Sequence, residues 1–187
     1  MRPRINYALI RRRVRELIAD QSSPPIDLQR VALTLGAEIR ALELADDISG
    51  VLYRDLGRRI IVVNRTHSEV RRRFTIAHEL GHLALHRGDK VHVDHEFRVN
   101  LRDPRSATAE NVEEVEANAF AANLLMPAEW IWAELDQHLI DPGDDSQISA
   151  LAERYCVSQQ ALLIRVATLS SAAGEIAASR SRPAKRM

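Results

Sequence analysis

The chain has 187 residues, of which 45% are hydrophobic, enough to bury a core as one domain or as one domain with an appendage. Its 26 Lys and Arg residues are balanced by 26 Asp and Glu residues, which excludes a protein held to nucleic acid by its overall charge. The single cysteine excludes an internal disulfide, and no apolar stretch approaches the length of a membrane span, so we expect a cytoplasmic protein.

The N-terminal segment is basic and has a helical pattern. Residues 6–19 predict a helix, and the run Ser22-Ser-Pro-Pro25 breaks the chain after it. Arginines crowd this end of the chain, and further basic residues crowd the other end. Because such runs are usually solvated, we assign residues 1–23 to a basic helix with a linker and residues 171–187 to a flexible basic tail.

The next segment predicts a short helix followed by strands. Asp27 can cap a helix that Gly36 ends. Residues 38–44, 50–54 and 59–64 have the apolar character of strands, and a hairpin turn can join the last two. Together with the helices that follow, these strands predict an α+β fold in which a small antiparallel sheet packs beside a helical bundle.

Two histidines four residues apart lie on the helix predicted next. The run His78-Glu-Leu-Gly-His82 falls in an otherwise largely apolar segment, residues 73–86. This spacing places both imidazoles on one helix face within reach of one cation, for which zinc is the natural candidate. Glu79 can then act as general base on the water that a catalytic zinc site keeps, and Gly81 allows another element to approach closely. Because the five-residue motif alone also arises by chance, the assignment needs a third ligand.

A third ligand can come from a second helix, which apolar residues at helical spacing predict over residues 107–126. Three glutamates on it compete for this role: Glu113, Glu114 and Glu116. Asn118 lies one turn after Glu114 and can orient either a ligating histidine or Glu114 itself. We therefore favour Glu114 as the third ligand, with Glu116 as the main rival.

These two helices resemble those of the ImmA/IrrE-type metallopeptidases. The similarity lies in His78-Glu-Leu-Gly-His82 and in Glu114-Val-Glu-Ala-Asn118-Ala-Phe-Ala-Ala-Asn-Leu-Leu-Met-Pro127, and it extends over about residues 24–169. The resemblance implies a zinc-dependent endopeptidase that cleaves a partner transcriptional repressor and so relieves repression. It implies His78, His82 and Glu114 as zinc ligands and Glu79 as the catalytic residue. Many relatives also carry an N-terminal helix-turn-helix domain, for which the residues before the motif are too few, and Cys156 stands where they often have glycine.

Three further histidines follow the metal motif. His86 lies four residues beyond His82, and we expect it to pack or to orient a ligand rather than to bind the metal. Residues 88–106 are polar and predict a loop that contains His92 and His95. The sequence assigns no role to these two histidines, and it does not identify the residue that stabilises the transition state.

The C-terminal segment carries the main alternative. Residues 148–165 have the rhythm of a helix-turn-helix, which would leave Ser158, Gln159, Gln160 and Arg165 near a DNA-facing surface. The segment supplies only two arginines for phosphate contacts, so direct DNA binding is not expected. We assign residues 24–140 to a metallopeptidase domain and residues 141–170 to a helical pair that completes it or docks the partner. The alternative function is a non-catalytic module that binds a repressor or DNA.

Overall fold

The protein has an α+β fold, as the sequence predicts. The computed structural model describes residues 5–95, 109–138 and 144–180. Over these residues the chain forms seven helices and one four-stranded sheet. None of the described helices has both the length and the apolar character needed to cross a bilayer.

Two capped helices precede the sheet. Asn6 caps the start of helix α1 (Tyr7–Leu17), and its side chain accepts a hydrogen bond from the backbone amide of Leu9. Helix α2 (Leu28–Thr34) begins at Asp27, whose side chain caps it in the same way, as predicted. It ends before Gly36, whose φ of +67° is a left-handed conformation that favours glycine.

The sheet is mixed. Its strands are β1 (Glu38–Leu42), β2 (Ile48–Asp55), β3 (Arg58–Asn64) and β4 (Val91–His95), in the spatial order β1-β3-β2-β4. The predicted hairpin between β2 and β3 is present, and it turns at Leu56 and Gly57, which both have positive φ. Strand β1 pairs with β3 in parallel, however, so the prediction of an antiparallel sheet is wrong for this pair.

The side chain of Asn64 holds the connection that makes this topology possible. It is fully buried at the end of β3 and donates hydrogen bonds to the carbonyl oxygens of Ala45 and Ile48, both at 3.2 Å. It also lies 3.4 Å from the amide of Leu44, from which it accepts a hydrogen bond. The chain therefore crosses the end of β3 on its way from β1 to β2, and β3 takes the place between them.

The prediction of a loop over residues 88–106 is wrong for Val91–His95, which form strand β4. It pairs with β2 in antiparallel register and alternates the exposed Val91 and Val93 with the more buried His92 and Asp94. Alternation is the signal of a strand, but here the polar residues lie on the inner face and obscure it. Residues 96–106, the remainder of the predicted loop, lie outside the described part of the chain.

Helix α3 (Glu69–Leu85) carries the His78–His82 motif and crosses helix α4 (Ala109–Leu125) closely. Gly81 permits this crossing, because a Cβ atom at its position would lie 3.0 Å from the Cα atom of Ala117. Any side chain at Gly81 would therefore push the two helices apart. The close crossing brings the motif on α3 and the glutamates of α4 into direct contact.

Helices α5 (Ala128–His138), α6 (Asp145–Tyr155) and α7 (Gln159–Arg180) follow. Helix α7 continues beyond residue 170, where we expected a basic tail to begin, and residues 181–187 lie outside the described part. Arg165 is buried, and it donates hydrogen bonds to the carbonyl oxygen of Met126 at 3.0 Å and to the side chain of Asn123 at 2.9 Å. Its predicted position on a DNA-facing surface is therefore wrong, because the guanidinium satisfies carbonyl groups at the end of α4.

Cys156 joins α6 to α7 in a strained conformation, with φ of 51° and ψ of 50°. Glycine adopts this left-handed conformation without strain, whereas a residue with a Cβ atom does not. We expect Cys156→Gly to raise the free energy of unfolding by about 0.5–1 kcal/mol, as measured by urea denaturation. Cys156→Ala keeps the Cβ atom and serves as the control. If Cys156→Gly proved less stable than Cys156→Ala, relief of backbone strain would not be the dominant effect at this position.

Candidate metal centre

Three side chains from two helices meet between α3 and α4. His78 and His82 lie on the buried face of α3, and their Nε2 atoms are 3.0 Å apart. Glu114 of α4 places one carboxylate oxygen 3.3 Å from Nε2 of His78 and the other 3.2 Å from Nε2 of His82. The structure thus brings together the three residues that the sequence analysis favours as ligands.

The spacing of these donor atoms suits a tetrahedral ion. Zinc binds nitrogen and oxygen ligands at about 2.0–2.1 Å, which separates neighbouring ligands of a tetrahedron by about 3.3 Å. The two Nε2 atoms are 3.0 Å apart, and Nε2 of His78 and of His82 lies 3.3 and 3.2 Å, respectively, from a different oxygen of Glu114. Imidazole and carboxylate are also donors that zinc accepts readily. The group could therefore hold a metal ion.

Asn118 orients His78. Its Oδ1 atom lies 2.8 Å from Nδ1 of His78, one helical turn after Glu114. Because an amide oxygen only accepts hydrogen bonds, Nδ1 donates to it, and in the neutral ring Nε2 presents its lone pair to the cluster. This is the kind of contact that commonly fixes a ligating histidine.

A longer hydrogen-bonded chain orients His82. Its Nδ1 atom lies 3.3 Å from Nδ1 of His86, and Nε2 of His86 lies 3.1 Å from Oε2 of Glu116. Because the carboxylate only accepts, His86 donates from Nε2 and accepts the Nδ1 proton of His82. Nε2 of His82 therefore keeps its lone pair for a metal. Glu116 also accepts a hydrogen bond from the backbone amide of Asn6 at 2.9 Å, which connects the start of α1 to this series of hydrogen bonds.

Glu116, the rival for the third ligand, therefore faces His86 instead of the His78–His82 pair. Glu116→Gln removes the charge that sets the tautomer of His86, and we expect zinc affinity to fall about tenfold, as happens when a ligand loses its orienting partner. Competition with a coloured chelator measures the affinity. Glu129→Gln, which changes an exposed carboxylate of α5, is the control. Unchanged zinc affinity in Glu116→Gln would mean that the hydrogen bonds from Glu116 through His86 do not orient His82.

Glu79 lies beside the cluster with a fully buried carboxylate. Neither of its oxygens has a hydrogen-bond partner among the described residues, and Oδ2 of the nearby Asp94 is in the same state. Gly50 of β2 lies beside it: a Cβ atom there would be 3.6 Å from Oε1 of Glu79, an ordinary contact distance, but only 2.5 Å from Cγ2 of Thr75. Burial raises the pKa of Glu79 to about 8, and the charges of Asp94 and Glu114 add to the rise.

This raised pKa predicts how the stability of the metal-free protein depends on pH. Glu79 has its ordinary pKa of 4.5 in the unfolded chain, so the folded protein binds its proton more tightly up to a pH of about 8. The free energy of unfolding should therefore fall as pH rises through this window. Glu79→Gln cannot ionise, so it should gain on the order of a few kcal/mol over the wild type between about pH 5 and pH 8. Urea denaturation of both metal-free proteins tests this, and a difference that is independent of pH would contradict it.

The proposed ligands are close to the protonation states that a metal requires. Burial alone would raise the pKa of Glu114, yet its contacts with the imidazoles of His78 and His82 hold this pKa well below its usual range. Burial lowers the pKa of His82 to about 4. Burial also opposes a proton on His78, but the contact with Glu114 raises its pKa above the ordinary value. Of the three groups, His78 is therefore the one whose raised pKa acts against metal binding, since a ligating imidazole must be free of that proton.

A cavity of about 420 Å³ adjoins the cluster and is lined in part by His82, His92 and Glu114. Nε2 of His92 lies 3.5 Å from Oε1 of Glu114, which places this histidine at the site. Sequence reasoning left His92 without a role and did not single out Asp94. Their shared signal is the alternation along β4, which places both on the face of the strand that meets α3 and α4.

Arg54 lines the same cavity and binds the end of α3. Its Nη1 atom donates hydrogen bonds to the carbonyl oxygens of His82 at 3.3 Å and His86 at 3.1 Å, and its Nε atom donates to that of Asp89 at 2.8 Å. A cation at the C-terminal end of a helix satisfies carbonyl groups that lack partners within the helix. Arg54 therefore fastens the end of α3 to strand β2.

Comparison with known proteins agrees with the resemblance seen in the sequence. Residues 32–167 match the family of peptidases described as the IrrE N-terminal-like domain. The "Uncharacterized immunity region protein 2" of Bacillus phage phi105 is 32% identical over 128 residues, which is 67% of this chain and 72% of the phage protein. The family match spans the whole sheet and both helices of the cluster.

Proposed function

Because the chain belongs to the peptidase family described as the IrrE N-terminal-like domain, we propose that it is a zinc-dependent endopeptidase that cleaves a partner transcriptional repressor. Cleavage would relieve repression. In this proposal His78, His82 and Glu114 hold the zinc ion, and Glu79 is the catalytic base.

One observation carries the proposal: Glu79 is a fully buried carboxylate whose oxygens have no hydrogen-bond partner in the described part of the chain, beside a set of side chains that could hold a metal ion. A buried charge without a partner is unfavourable. A nearby cation and a water molecule whose proton it accepts would both offset this. Neither a purely structural metal site nor a DNA-binding surface needs a buried carboxylate that can accept a proton, whereas a hydrolytic site requires such a general base.

When bound, zinc would polarise the scissile carbonyl and lower the pKa of water to about 7. Glu79 accepts the proton of the attacking water and delivers it to the leaving amine. Its buried setting favours this role, since burial raises the pKa of Glu79 in the metal-free chain and the carboxylate takes up a proton readily. Asn118 and His86 hold the two ligand imidazoles in orientation throughout.

A repressor is the proposed substrate class because of the resemblance and because the phage relative is named for an immunity region. Phage immunity is a state of transcriptional repression. A peptidase that acts in such a state therefore has the repressor as its nearest candidate substrate.

The helix-turn-helix-like segment does not favour a second function. Arg165 is buried against the end of α4, and Arg154 pairs with Glu134 of α5. The two basic side chains that this segment could offer to phosphates are thus already engaged. We therefore do not propose direct DNA binding.

The experiment is to incubate the zinc-loaded protein with a helix-turn-helix repressor encoded by a neighbouring gene. We expect the repressor to be converted into two fragments whose masses define a single cut, and we expect a chelator to stop the reaction. A stable complex in which the repressor stays intact with zinc present would favour the non-catalytic binding module instead.

A further inference from the structure

We propose that His92 is a fourth protein ligand of the metal ion and that it closes the site in the resting protein. This inference rests on the metal site proposed for His78, His82 and Glu114. It does not depend on peptidase activity.

His92 belongs to the same cluster as the three proposed ligands. One donor atom from each of the four side chains lies within 4.8 Å of all the others. The distance of 3.5 Å from Nε2 of His92 to Oε1 of Glu114 is close to the edge of about 3.3 Å expected for a tetrahedron of zinc ligands. The rings of His92 and His82 lie 4.3 Å apart between centroids, with their planes tilted by 40°. Three imidazoles and one carboxylate thus converge, and four protein ligands are the number found in closed zinc sites.

The Nε2 atom of His92 is buried and has no hydrogen-bond partner among the described residues. Oε1 of Glu114 lies 3.5 Å from it, too far for a good hydrogen bond. A buried ring nitrogen without a partner is unfavourable, and an ion held by the cluster would satisfy it.

The other candidates around the cluster are less suited to this position. His86 uses both ring nitrogens, one toward His82 and the other toward Glu116. Asp94 groups with His78 and Glu79 on another side of the cluster. His92 is therefore the best placed of them to complete the ligand set.

The position of His92 on β4 gives this fourth ligand a consequence. Catalytic zinc sites keep one position open for water and substrate, and a fourth imidazole takes that position. Within the described residues β4 is the end strand of the sheet and pairs with β2 alone. A strand held on one side can shift without disrupting the core. His92 therefore slows cleavage in the resting protein without abolishing it, and its release opens the site.

X-ray absorption at the zinc edge counts the ligands directly. We expect three imidazoles in the loaded wild type and two in His92→Gln, whose zinc affinity should fall about tenfold or more. His92→Cys is a second variant that keeps a ligand, and it should show one sulfur at about 2.3 Å. His67→Gln changes a described histidine outside the cluster and should match the wild type.

Two imidazoles in the wild type would overturn the fourth ligand and leave the three-residue site standing. A wild type that binds no zinc would instead overturn the metal site itself. At saturating zinc, His92→Gln should cleave the repressor faster than the wild type. Unchanged zinc binding with slower cleavage would overturn the proposal and assign His92 to the transition state.

Discussion

Glu79→Gln protein is expected to bind one zinc ion as the wild type does, while its cleavage of the repressor falls at least a hundredfold. A positioned general base contributes about 10²–10⁴-fold to rate, and glutamine keeps the size of the side chain but cannot take up the proton. No hydrogen bond within the described residues is lost, because neither oxygen of Glu79 has a partner there. Metal content and fragment formation are measured on the same sample by mass spectrometry.

Asp94→Asn is the matched control, because it changes the other buried carboxylate beside the cluster. We expect this variant to cleave within about tenfold of the wild type, since the loss of a positioned base is the larger effect. Full proteolysis by Glu79→Gln protein would remove Glu79 from the mechanism. Loss of zinc from that variant would show that Glu79 is itself a ligand.

Glu114→Ala is expected to lower zinc affinity at least a hundredfold. The carboxylate contributes one oxygen beside each histidine, so its removal leaves a pair of imidazoles that bind an ion less well. The effect should exceed the roughly tenfold loss expected for Glu116→Gln, because Glu116 acts through His86 and not on the ion. Competition with a coloured chelator ranks the two variants.

Glu129→Ala is the control, because it removes an exposed carboxylate of α5 that belongs to none of the candidate metal-binding groups of the described residues. We expect it to keep wild-type affinity. If Glu116→Ala lost the metal and Glu114→Ala retained it, the assignment of the third ligand would be wrong.

The proposed ligands and base could be selected from the sequence because their spacing is local. His78 and His82 lie one turn apart on one helix, and so do Glu114 and Asn118 on the other. Helical geometry alone therefore indicates which side chains share a face. The structure adds the close crossing at Gly81, which brings the two faces together.

The parts that the sequence did not reveal depend on contacts between distant segments. The pattern of residues in a strand does not specify which strand lies next to it. The parallel pairing of β1 with β3 could therefore not be predicted, because it depends on contacts of Asn64 with the distant connection before β2. Strand β4 was not predicted, because His92 and Asp94 are polar residues on its inner face, where a half-buried strand normally has apolar ones. The hydrogen bonds of Glu116 to His86 and to the amide of Asn6 connect α4 with α3 and with the start of α1. These residues are far apart in the sequence, so no local spacing predicts the contacts.

The central claim is tested most directly by titrating metal-free wild-type protein with zinc in the presence of the repressor. We expect no cleavage before zinc is added, a rate that rises in proportion to the zinc added, and a plateau at one equivalent. Equal cleavage by the metal-free and the zinc-loaded protein would contradict the account, and so would an intact repressor at every zinc concentration.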